Sequence, residues 1–262
     1  MSIFDSIVLG FIQGLTEFIP ISSSGHLVIA QNFLTGASNH LFLEWINIGT
    51  MLALIVYFWR RIVSIVVDIA KRRKYHLARN ILLTSIPAGI VGYLAADFIE
   101  RNSFFGSMSV VAVMLALIGV IMIVLEKLPK ASPKKNGEAL TVPRALMIGV
   151  AQMLALIPGT SRSGSTIIMG RLMGLSAKEA AEYSFLASLP IMMGVTLKLF
   201  VQNQSYLVSN IETLLISNIT AFIFGLIAVK FLMNYLSRHS LAVFGWYRLA
   251  LAAVVTLVIL IQ

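Results

Sequence analysis

Glu17, His26, Arg162, Glu182 and Arg248 are ionisable side chains set in strongly apolar sequence. Charge at membrane depth is costly and marks function by default, so these residues carry the first claim to chemistry. Glu17 follows Gln13 by four positions, which puts both on one helix face. Ser22, Ser23, Ser24 and His26 come next, in one loop. A serine hydroxyl and an imidazole supply a nucleophile and a proton shuttle. Serines beside Gly25 serve equally well as caps for broken helix ends, and His26 could be a satisfied structural histidine. A second loop reads Pro158-Gly159-Thr160-Ser161-Arg162-Ser163-Gly164-Ser165-Thr166. Gly159 and Gly164 permit close backbone approach to a ligand. Hydroxyls and free amides at the start of the following helix aim at an anion. Arg162 adds a permanent planar charge suited to phosphate oxygens. Glu17 alone would neutralise Arg162, whereas an anionic lipid headgroup also explains the hydroxyls and glycines. The chemistry that fits is phosphoryl transfer from a lipid phosphate or diphosphate to Ser or water, which depends on positioning and charge neutralisation. A divalent cation on Glu17 and the phosphate oxygens completes that neutralisation. Mg2+ is expected first, with Ca2+ as the alternative, because Mg2+ needs few protein ligands.

The elements that must position these residues are helices in a bilayer. Hydrophobic residues make up 58% of the 262 and charged residues 12%, half the usual charge, which excludes a soluble domain and a disordered one. Six runs are long and apolar enough to cross, at about 42–60, 80–98, 107–126, 182–201, 214–236 and 243–261. Two further segments, 3–35 and 145–176, are apolar but broken by the loops above. Their flanks are too short to cross a core of about 30 Å alone. Each is expected to be a re-entrant helix-loop-helix, its irregular backbone buried in protein or lining a wet cavity; two ordinary spans kinked at proline are the other reading. A surface helix is expected around 61–77, where Ile62, Val63, Ile65, Val66, Val67 and Ile69 meet a basic cluster. The absence of Cys excludes thiol chemistry and disulfides. The N-terminus has no basic stretch or small-residue cleavage site, so no cleaved signal peptide is expected.

The net charge of +9 fits orientation better than nucleic acid, because the basic residues sit in short links between apolar runs. With six spans and two re-entrant segments, Arg60 to Arg79, Lys127 to Arg144, Arg171, Lys178 and Arg238 all fall on one side, the cytoplasmic one. Residues 1–41 and 202–213 contain no Lys or Arg, and 99–106 has only Arg101. The two broken segments also resemble each other at an offset of 139: Gly10 and Gln13 match Gly149 and Gln152, and Ser22, Ser24 and Gly25 match Ser161, Ser163 and Gly164. The expected architecture is an all-α polytopic membrane protein in an inverted-topology repeat. It comprises a first half over 1–126, a basic cytoplasmic link over 127–144 and a second half over 145–262, with the site where the broken segments meet.

At these residues the chain resembles the undecaprenyl-diphosphate phosphatase family, the bacitracin-resistance proteins. The resemblance rests on Gln13-Gly14-Leu15-Thr16-Glu17-Phe18 running into Pro20-Ile21-Ser22-Ser23-Ser24-Gly25-His26, and on the arginine-bearing loop 158–166. It extends through Tyr57-Phe58-Trp59-Arg60-Arg61, Glu182-Tyr183-Ser184-Phe185-Leu186, Pro190 and Tyr247-Arg248, nearly the whole chain. It implies hydrolysis of undecaprenyl diphosphate to the monophosphate carrier and phosphate, recycling that carrier for cell-wall synthesis. It also implies bacitracin resistance, a divalent metal requirement and a site opening to the periplasm or cell exterior of a bacterial plasma (inner) membrane. By motif position, Ser23 would be the nucleophile, His26 its acid/base partner, and Glu17 with Gln13 would hold metal or orient the attack. Arg162, Ser161 and Thr166, with Gly159, Ser163 and Gly164 of the same loop, would bind the diphosphate. Two departures stand out: Gln13 replaces the first glutamate, leaving one carboxylate fewer for metal, and Glu44, Trp45 and Asn47 replace the more usual glutamine-leucine-glycine run.

The expected partners are a polyprenyl diphosphate lipid and the bilayer, with no nucleic acid; a homodimer is left open. A flippase or transporter for a phosphorylated polyprenyl lipid is the alternative function, since inverted repeats and broken helices are transporter hallmarks. The Ser23/His26 pair favours the enzyme, because transport needs no nucleophile.

Overall fold

The computed structural model describes residues 2–35, 39–95, 98–99, 102–128 and 137–261. Among them the ordered elements are helical. In chain order these are α1 (Ile3–Phe18), α2 (Ser23–Thr35), α3 (His40–Tyr57), α4 (Trp59–Ala70), α5 (His76–Leu94), α6 (Met108–Lys127), α7 (Val142–Met153), α8 (Arg162–Leu172), α9 (Ala177–Gln202), α10 (Gln204–Ser209), α11 (Ile211–Tyr235) and α12 (Ala242–Ile261). Six of them, α3, α5, α6, α9, α11 and α12, are long and apolar enough to cross a membrane. The chain is a multi-pass membrane protein with all-α architecture. Arg101 and, within the expected basic link, Lys130, Lys134 and Lys135 lie outside the described residues.

Local chemistry sets the helix limits. Ser2 and Asp5 close a capping box at the start of α1. That helix stops with Ile19 extended ahead of Pro20, as a residue before proline prefers. Ser176 and Glu179 form the same box at α9, and Pro143 occupies the first turn of α7, where its missing N–H costs nothing. The run expected over 42–60 divides at Phe58: α3 ends at Tyr57 and the surface helix α4 turns away from it.

The broken segments fold as short helix pairs. α1 has 16 residues, α2 13, α7 12 and α8 11, all below the roughly 20 needed to cross. α1 lies along α11, and α7 lies along α5. Gly10 and Gly149, matched in sequence, explain how both pairs come so close. A Cβ at Gly10 would run into the Ser217 carbonyl of α11, and one at Gly149 would sit 2.6 Å from the Thr84 carbonyl of α5. Small residues of this kind let backbones approach where lipid offers no hydrophobic drive. α6 crosses α12, and α2 and α8 both reach α6, so the two loops arrive at the same central helix. Phe18, Phe58, Phe185 and Met122 are buried around them in one apolar cluster.

Candidate active site

Ser22 and Ser161 begin the two loops' descent into helix, and both adopt left-handed backbone, with φ of 77° and 73°. The conformation is costly for a residue with a Cβ, and each serine recovers part of the cost by capping. The Gly25 amide donates to Ser22 Oγ at 3.3 Å, and the Gly164 amide to Ser161 Oγ at 3.1 Å. The neighbouring hydroxyls repeat the correspondence, Ser22 to Ser24 at 3.3 Å and Ser161 to Ser163 at 3.2 Å. Helix starts of this kind favour an anion.

Glu17 closes the gap between the loops. It stands at the end of α1, and its side chain is 9% exposed. One carboxylate oxygen takes the Arg162 guanidinium from the start of α8. The other accepts Ser23 Oγ at 2.6 Å and Gln13 Nε2 at 3.1 Å. Ser163 Oγ donates to the Glu17 backbone carbonyl at 3.3 Å. Ser23 and Arg162, separated by most of the chain, thus share one carboxylate, and Gln13, Glu17, Ser23, Arg162 and Ser163 form a single cluster.

His26 stands apart from Ser23. Its Nδ1 meets the Ser22 carbonyl at 2.7 Å and its Nε2 the Tyr247 hydroxyl at 2.8 Å. A carbonyl only accepts, so Nδ1 carries a proton, and Nε2 shares a hydrogen bond with the Tyr247 hydroxyl. The Tyr247 ring stacks beside it at 5.7 Å. The expected Ser23–His26 pairing is therefore replaced: the base within hydrogen-bond reach of Ser23 is Glu17.

Three other expected site groups have close protein neighbours. Thr166 is 1% exposed, and its hydroxyl is spent on the Arg162 and Ser163 carbonyls and on Ser184 Oγ, which leaves it facing protein rather than a ligand. Gly159 (φ 89°) is required by packing, because a Cβ there would stand 2.7 Å from the Val111 carbonyl; one at Gly164 would stand 3.1 Å from the terminal methyl of Met122. Gln13 turns its amide N–H2 toward Glu17, Asn47 Oδ1 at 2.6 Å and Thr50 at 3.4 Å. In this orientation it supports Glu17 as a donor. Among the described residues no group of three or more His, Cys, Asp or Glu gathers to hold a metal. The donors present fit a hard cation carried largely by phosphate oxygens and water, with Glu17 its one carboxylate.

Arg248 plays a different part from the other intramembrane charges. It is wholly buried in α12 and donates to backbone alone: Pro20 O at 3.1 Å in the first loop, Gly159 O and Thr160 O in the second, and Leu115 O of α6. It ties both loop tips to the central helices. Glu182 belongs to another cluster, with Arg61, which also reaches Glu138. Sequence reading missed Asn47, Thr50 and Ser184 as supports, and Tyr247 as the partner of His26. The polar spacing of Asn47 and Thr50 in an apolar run was the available signal.

Six apolar helices and two short broken segments whose Ser23 and Arg162 meet on the Glu17 carboxylate define an integral membrane protein with a polar cluster between its helices. The chain belongs to the bacitracin resistance protein BacA family, which matches residues 6–254. It is 40% identical to undecaprenyl-diphosphatase 1 of Clostridioides difficile (strain 630), over 97% of this chain and 95% of that one. It is 36% identical to the undecaprenyl-diphosphatase of Desulfitobacterium hafniense, over 98% and 96%. The undecaprenyl-diphosphatase of Enterococcus faecalis shares 36% identity over 96% of this chain and 95% of its own.

Proposed function

We propose that this protein hydrolyses undecaprenyl diphosphate to undecaprenyl phosphate and inorganic phosphate, recycling the lipid carrier of cell-wall synthesis and conferring bacitracin resistance. Family membership supports the reaction. One structural observation carries its chemistry: Glu17 holds Arg162 on one oxygen and Ser23 on the other. The arrangement reads as a resting state. An incoming diphosphate offers the guanidinium more negative charge than Glu17 does, so Arg162 and the amides of the α2 and α8 first turns pass to the phosphate. Glu17, released from its cation, becomes the better base for the Ser23 proton. Ser23 Oγ then bonds to the terminal phosphorus, the bridging P–O bond breaks and undecaprenyl phosphate leaves. Water cleaves the new Oγ–P bond, with His26, held by Tyr247, as the second proton-transfer group. A divalent cation bound with the diphosphate would contact Glu17 and supply further charge neutralisation.

The overall arrangement belongs to the same reading. The halves 1–126 and 145–262 are inverted repeats joined by 127–144, and each opens with a re-entrant pair. The matched φ angles of Ser22 and Ser161, the matched caps and the α1–α11 and α7–α5 pairings support this. The reaction centre faces the periplasm or exterior of a bacterial plasma membrane, an orientation supported by the basic residues gathered after α4 and the basic-free N-terminal segment.

The test is phosphate release from undecaprenyl diphosphate by purified protein, with and without chelator. Release is expected, with loss on chelation and recovery with Mg2+ or Ca2+. No release by the unmodified protein overturns the phosphatase reading; undiminished release in chelator removes the cation alone.

A further inference from the structure

α4 joins the spans α3 and α5 and presents three different faces. Ile62 and Ile65 turn inward against the main apolar cluster. Arg60, Ser64 and Asp68 follow one another at i, i+4 spacing as a polar stripe. Trp59, Val63, Val66 and Ile69 form a third face turned out of the protein, with Trp59 59% and Val66 57% exposed. Lys71, Arg72, Arg73 and Lys74 follow directly, all exposed, with Tyr75 beside them. Arg72 reaches Asp68 at 3.0 Å, whereas among the described residues no ion pair forms to Arg60, Lys71, Arg73 or Lys74. Arg61 instead points inward and fastens the helix to Glu138 and Glu182, at 3.2 and 3.1 Å.

The corresponding connection in the second half lacks this character. α10 joins α9 to α11 as α4 joins α3 to α5, yet no Lys or Arg occurs between Lys198 and Lys230. A surface helix at the headgroup level therefore does not require basic residues in this fold; α4 has them in addition. An apolar stripe beside uncompensated positive charge matches a partner that has acyl chains and a negative head, and a soluble anion would leave the stripe uncovered.

We propose that α4 and the turn 71–74 form a docking surface for anionic phospholipid, with Trp59, Val63, Val66 and Ile69 among the acyl chains and Arg60, Lys71, Arg73 and Lys74 on the headgroups. Each basic residue at such a surface favours an anionic lipid about fivefold over a zwitterionic one. The surface does not depend on the phosphatase reading and stands or falls separately.

The chain has no cysteine, so Val66→Cys carries a single fluorescent label. The labelled full-length protein is reconstituted in phosphatidylcholine vesicles doped with brominated phosphatidylglycerol or with the same amount of brominated phosphatidylcholine. Quenching is expected to be stronger with the brominated anionic lipid, by about twofold or more. The difference should vanish in high salt, which screens exposed charge, and in the variant R60Q/K71Q/R73Q/K74Q. A label at Leu257→Cys, exposed on α12, should be quenched equally by both lipids. Equal quenching at position 66 overturns the proposal, as does a difference that survives both salt and neutralisation. The salt arm decides the matter if the fourfold variant fails to fold.

Discussion

The helix starts after the two loops share a left-handed serine cap and carry different side-chain chemistry. At the offset of 139, Ser22 and Ser161, Ser24 and Ser163, and Gly25 and Gly164 coincide in residue, and the first two pairs coincide in hydrogen bonding. Among the positions that differ are the three that carry chemistry. Glu17 corresponds to Leu156, Ser23 to Arg162 and His26 to Ser165. One loop keeps the carboxylate, hydroxyl and imidazole; the other keeps the cation. The two helix starts are capped alike, and the difference at these three positions gives each a different side-chain chemistry.

Variants that break the shared frame should have the largest effects. Arg248→Leu leaves four buried carbonyls of both loops and α6 without their donor. A loss of at least about 3 kcal/mol is expected, read as a collapse of thermal stability in detergent; a variant as stable as the parent would show that the tips hold together without it. Variants of the differing positions come next. Arg162→Ala and Ser23→Ala should each lower phosphate release by about 10² or more with the fold intact, and parent-like turnover in both would remove the site. Leu156→Ala, at the position matching Glu17, should cost less than about tenfold, where Glu17→Ala costs about 10²; equal losses would mean that the loops share the chemistry. Thr166→Val should change turnover least, within about tenfold, because its hydroxyl is engaged inside the protein. The orientation of the halves is read independently by Lys74→Cys and Gln204→Cys labelling in intact cells, with only the second expected to react from outside; the same response from both would end the inverted reading.

Much of this was legible in sequence because bilayer physics is strict. Twenty apolar residues without charge have few alternatives to a spanning helix, and the six candidate spans lie where hydropathy puts them, apart from limits such as the early end of α3 at Tyr57. Glu17, Ser23 and Arg162 stood out by cost: a charge or hydroxyl motif at depth needs a partner. The partners themselves were less legible. His26 follows Ser23 by three residues, which suggested a pair, yet the Ser22 carbonyl and a tyrosine from the last helix take both ring nitrogens. Gly159 and Gly164 carry the same residue type whether they meet a ligand or a helix, and only the packing of Val111 and Met122 against them separates the two roles. Arg248 looked like another chemical charge because sequence does not show that every acceptor around it is a main-chain carbonyl.

That arginine also bears on biosynthesis. The group that staples the two tips together is contributed by α12, which is synthesised after both loops. Every other member of the cluster is synthesised earlier, so an incomplete polypeptide can hold the acid, the hydroxyl and the loop guanidinium without locking them into register. Competence arrives only with translation of α12, and a product cut short before it is expected to be inert however much of the preceding chain has entered the bilayer.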